Sequence, residues 1–244
     1  MTEQEVREWL DKANKQLLAE IEQSIPVRFS FWTKDYFGCQ VHKNEDGVQC
    51  EVEVYYEEPL SQAKIAHELL HAKTSIVLGD NAIMFAIENQ TIPFKYLMKK
   101  ENASQIVNAC EHVIFFPDFL DMGYLEDDSF EPPKDLAKSF ATIDELSTQK
   151  LKENGNYSIK KVFEYIALSF SFLFYPNEKR FKKQVKTLKQ IDYPLFSIMS
   201  NLRRACTDCA IEPENKDFIQ ESYFDFANDL NKWFDKAFNG AVIF

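Results

Sequence analysis

The residues of this chain best equipped for chemistry stand together at His67-Glu68-Leu69-Leu70-His71. Two histidines four positions apart on an α-helix fall on one face about a turn from each other, so both imidazoles can reach a single metal ion. Glu68, beside the first, would lie next to the ion's open coordination position. A carboxylate there can take a proton from metal-bound water, whose pKa zinc lowers from about 15.7 to about 7. The pattern therefore describes a hydrolytic mechanism as well as a zinc site. The bland alternative is a chance match with both histidines merely exposed. Against it, the chain has only 4 His, and two of them are here.

A zinc site that keeps an open position needs three protein ligands. Glu88, Glu111 and His112 follow the motif and are the candidates for the third. Glu111 leads, because a carboxylate beside a histidine inside an otherwise apolar helical run needs a partner and a metal supplies one. His112 is the alternative. Whichever of the two is not a ligand would support the site or face the substrate, together with Asn108 one turn earlier. Tyr124 offers a phenol for an oxyanion, although an ordinary buried tyrosine is the plainer reading.

These residues need elements to hold them. Ser61 can cap a helix that carries the motif, and Gly79-Asp80-Asn81 supplies its stop after Leu78. Ahead of it, Val27 to Trp32, Tyr36 to Val41 and Val48 to Tyr56 are rich in β-branched and aromatic residues, with a turn at Asn44-Glu45-Asp46-Gly47. They predict a small antiparallel sheet whose edge can pair with an extended peptide. Helical spacing runs from Glu3 to about Gln23, before Pro26, and again from about Ala103 to Phe116, closed by Pro117-Asp118.

The motif, followed on a later helix by Asn108, Glu111 and His112 and then by Phe115-Phe116-Pro117, resembles the zincin metallopeptidases, most nearly the compact bacterial ImmA/IrrE type. The resemblance covers roughly Val27 to Tyr124. It implies a helical domain with a small sheet, zinc held by His67 and His71, Glu68 as general base, and a Glu ligand from a following helix.

Beyond Tyr124, an acidic, proline-containing loop over 125–134 marks a boundary. Residues 1–125 are then read as a zincin-like core and 126–244 as an all-α C-terminal region, which can pack as part of one domain. Its helices are expected at about 135–153, 158–175, 177–191, 194–210 and 218–238. With hydrophobic residues at 45% and only 6 Gly in 244 residues, the whole is expected to be α+β and mostly helical.

A formal net charge of −11 works against nucleic-acid partners. One segment runs the other way, with Lys179, Arg180, Lys182, Lys183, Lys186 and Lys189, and its plain reading is a solvated helix face. No run is long enough to span a bilayer and no export signal opens the sequence, so a cytoplasmic protein with reduced thiols is expected. Cys206-Thr207-Asp208-Cys209 lacks a second pair or a nearby His and reads as a buried helix face. The function expected is zinc-dependent peptide hydrolysis on a peptide or protein substrate; the alternative is a catalytically silent zincin-like scaffold or regulatory protein.

Overall fold

The three runs read as strands do form one sheet, but not a purely antiparallel one. The computed structural model describes residues 2–32, 38–44, 47–55, 61–78, 100–130, 132–133, 135–177, 179–209 and 215–238. Within it β1 (Val27–Trp32), β2 (Gly38–Asn44) and β3 (Gly47–Tyr55) take the order β1-β3-β2. β2 and β3 form the expected hairpin, in register from Asn44 opposite Gly47 to Gly38 opposite Glu53. β1 lies parallel to β3, Val27 opposite Cys50 and Trp32 opposite Tyr55, so the expected antiparallel sheet is corrected to a mixed one. A local turn specifies the hairpin pair, whereas alternation of side chains says nothing about the direction of a partner distant in sequence.

The described residues contain nine α-helices. Two of them, α1 (Glu3–Trp9) and α2 (Lys12–Ile21), replace the single N-terminal helix expected. Leu10 leaves the helical conformation and Asp11 starts afresh as an N-cap, its carboxylate accepting from the Asn14 amide at 2.8 Å. The motif helix α3 runs Gln62–Leu78, with the Ser61 hydroxyl accepting from the Lys64 amide as anticipated. Its proposed stop at Gly79-Asp80-Asn81 lies outside the described residues. α4 (Lys100–Asp121) is longer than expected, because Pro117 does not close it. A proline inside a helix costs about 3 kcal/mol. Phe115 and Phe119 on either side are completely buried, and each contributes about 1.5–3 kcal/mol. The packing therefore wins.

A one-turn 3₁₀ helix (Glu126–Asp128) follows, then α5 (Leu136–Gln149), α6 (Ile159–Phe172), α7 (Lys182–Ile191), α8 (Tyr193–Asp208) and α9 (Lys216–Phe238). The C-terminal region is not all-α. Between α5 and α6, β4 (Lys152–Glu153) and β5 (Asn156–Tyr157) pair antiparallel across Asn154-Gly155, both at positive φ, as an Asn-Gly hairpin turn requires. No helix among the described residues is long and apolar enough to cross a membrane.

Contacts in space gather two units: Met1–Gly79 with Phe115–Phe130, and Asp80–Ile114 with Glu131–Phe244. In the first unit, α1 lies against β1, and α3 packs on α2, β2 and β3. Ile65, Ala66, Leu69, Leu70 and Ala72 leave α3 almost no exposed face over its middle turns, so this helix is core on nearly all sides. In the second unit, α5, α6 and α7 pack on one another, and α8 packs on α7 and α9.

Candidate metal centre

The middle of α3 places His67, Glu68 and His71 in a buried setting, with relative exposures of 7%, 9% and 9%. One helical turn brings the two imidazoles together, and their Nε2 atoms stand 3.1 Å apart. Two nitrogens bound at about 2.0–2.1 Å to one tetrahedral ion would stand roughly 3.3 Å apart, so this spacing suits a shared metal. The same distance also serves a hydrogen bond when one ring carries its proton on Nε2. What favours the metal is a third imidazole. His112, on α4 one turn before Phe115, completes a group whose ligand nitrogens all lie within 4.8 Å of one another. Imidazole donors suit zinc, copper, iron and nickel.

Phenylalanine encloses the pair. Phe115 meets both rings edge-on, with centroids 5.3 Å from His67 and 4.8 Å from His71. Phe130 lies 4.9 Å from His67, and Phe119 packs on Phe130 at 5.0 Å. These contacts fix ring planes by shape and exclude water from the flank of the site.

Polar bonds hold α3 in position at its N-terminal end. The Gln62 side chain accepts from the Asp11 amide and from Asn14 Nδ2, both at 3.0 Å, and donates to the Trp9 carbonyl at 2.9 Å. Asn14 Nδ2 also donates to the Gln62 carbonyl and to Tyr124 Oη. Tyr124 Oη in turn donates to Asp11 Oδ2 at 2.6 Å. Burial and the adjoining Asp11 carboxylate push the Tyr124 hydroxyl well above its ordinary value of 10, so it stays a neutral donor. Further along α3, Lys73 Nζ pairs with Glu20 of α2 at 3.0 Å and reaches Asp118 of α4 at 4.0 Å. The motif helix is thus tied at both ends of its working stretch.

The residues picked from sequence fall as follows. His67, Glu68 and His71 are together on α3, and the three-histidine group contains His112 rather than Glu111. Glu111, one position earlier and so about 100° round the helix, is buried, and its charge acts on Cys110 and Tyr223. Asn108 is exposed on α4. Tyr124 commits its hydroxyl to the Asp11–Asn14 network. Glu88 lies outside the described residues. Sequence reasoning missed Phe130, which sits inside the acidic loop read as a boundary, and Asn14 and Gln62, for which Asp11-x-x-Asn14 was the one available capping signal.

No protein-family model, no curated protein and no solved structure matches the chain.

Proposed function

We propose that this chain is a zinc-dependent peptidase of the zincin type, with His67, His71 and His112 as the ligands and Glu68 as the general base. The observation that carries the reading is the approach of two buried Nε2 atoms to 3.1 Å with a third imidazole in reach. Bound there, zinc would supply a Lewis acid and a water acidic enough to ionise near neutral pH. The three imidazoles, all neutral nitrogen donors, fit that ion. Glu68, next in sequence to His67, takes a proton as a water oxygen adds to the scissile carbonyl carbon. It returns that proton to the amide nitrogen as the C–N bond breaks. Phe115 and Phe130 hold the rings and keep the surroundings dry, which strengthens charge interactions inside the site.

An extended peptide is the substrate class best supported. β2 is an edge strand among the described residues and lies against α3, so backbone groups on its outer side can pair with a peptide running past the motif helix.

The test joins zinc content, by elemental analysis after reconstitution, with cleavage of a peptide library read by mass spectrometry. Wild type should hold about one zinc per chain, as a single three-ligand site requires, and should cleave. Glu68→Gln should hold the same zinc without cleaving. Undiminished cleavage by Glu68→Gln would remove the mechanism. Zinc binding with no turnover in wild type would instead leave the peptide-binding scaffold.

A further inference from the structure

The lysine-rich segment reads from sequence as a solvated face, yet it borders a hollow. In the second unit a cavity of about 460 Å³ opens between the end of α6, the start of α7 and one side of α8, from Phe196 to Asp208. Pockets of roughly 300–1,000 Å³ hold small organic ligands. Its rim carries Lys179, Lys182 and Arg204, and buried Arg203 completes four cations against one carboxylate, Asp208. Lys179 and Lys182 are exposed, and Arg204 donates to the neutral amide oxygen of Asn201 at 3.2 Å. Such a concentration of positive charge runs against the net charge of the chain.

The floor is different. Phe172 and Phe196 are buried beneath the rim, with Val185 beside them, so a flat or apolar group has a surface to lie on. The wall is preformed. Arg203 is 6% exposed and donates from Nε to the Leu173 carbonyl at 3.2 Å, and it also bonds the Thr207 hydroxyl, tying α8 to the end of α6. The hydroxyls of Ser200 and Thr207 add polar groups between rim and floor. A ligand matching all of this has a multiply charged anionic end and an aromatic or apolar body. Planar, forked guanidinium groups favour phosphate oxygens.

We propose that this hollow binds a nucleoside polyphosphate, its phosphates on Lys179, Lys182 and Arg204 and its base over Phe196. None of His67, Glu68, His71 and His112 lines this hollow.

The experiment is isothermal titration calorimetry of the full chain with ATP, inorganic tripolyphosphate and adenosine, in wild type and in the Lys179→Glu/Lys182→Glu double variant. Both lysines are exposed, and thermal melting checks that the variant folds. The expected result is saturable one-to-one ATP binding that weakens with salt and falls at least about tenfold in the double variant, two charge-assisted contacts being lost. Tripolyphosphate should bind about tenfold more weakly than ATP, because it lacks the group that covers the floor. Three results would overturn the proposal: no saturable ATP binding at millimolar concentration, equal affinity for ATP and tripolyphosphate, or undiminished ATP binding by the double variant. A single-stranded oligonucleotide that binds more tightly than ATP and is lost in the same variant would reassign the hollow to nucleic acid.

Discussion

Around His67 and His71 the polar groups are few, buried and walled by phenylalanine, whereas around Lys179 and Lys182 the charges are many, all but Arg203 exposed, and merely floored by it. His67, His71 and their phenylalanine wall are held by packing, so the geometry of that pair is inseparable from the core around it. The cationic hollow is assembled by surface side chains on a finished helical frame. Chemistry placed in a core makes each residue answer for stability as well as function, and chemistry placed on a rim separates the two.

The sharpest way to break this comparison is at the third ligand. His112→Ala and His71→Ala should each lose zinc by more than the roughly 10–100-fold that losing a supporting group costs. Glu111→Gln should keep it, all three read by elemental analysis and competition with a chelator. Zinc retained by His112→Ala and lost by Glu111→Gln would return the ligand to the carboxylate.

The next effect is on folding. Phe115→Ala, which empties the space against both imidazoles, should destabilise the chain by about 3–5 kcal/mol in urea unfolding. A value under about 1 kcal/mol would show that the aromatic wall is not part of the core.

Tyr124→Phe should cost about 0.5–1.5 kcal/mol, since it strips Asp11 and Asn14 of a half-buried partner. It should also alter the response to alkali. A tyrosine held above its unfolded value of about 10 contributes stability in full below that pH and loses it as the pH climbs past 10. Stability against pH between 9 and 11 should therefore fall less steeply in Tyr124→Phe than in wild type; equal slopes would place the alkaline loss elsewhere.

The smallest effect belongs to the rim. Lys179→Glu/Lys182→Glu should move stability by no more than about 0.5 kcal/mol, as surface substitutions do. A large loss there would erase the distinction between the two regions.

What could be read in advance followed the range of each signal. The cap at Ser61, the pairing of β2 with β3 up to Asn44 and Gly47 and the one-turn spacing of His67 and His71 are local, and each is where its chemistry placed it. Phe130, the parallel partner of β1 and the Asn14–Gln62–Tyr124 network are long-range, and no spacing in the chain announces them. Glu111 and His112 show a finer limit. They are adjacent in sequence and similar as ligands, yet point about 100° apart on the helix, and the phase of α4 puts His112 within reach of His67 and His71. Pro117 inside α4 shows the same limit, because the cost of a ring inside a helix is local and the burial that offsets it is not.

The strand order carries a last consequence, for the time before the fold is complete. β2 and β3 join across two residues, and such hairpins close in roughly 1–10 μs. β1 must find β3 from further away and in parallel, a slower closure. For that interval the hairpin is bare along both sides, and the side of β3 that awaits β1 is a template for a second chain. Crowded nascent copies would meet there first, so the yield of folded protein should fall with its concentration during refolding.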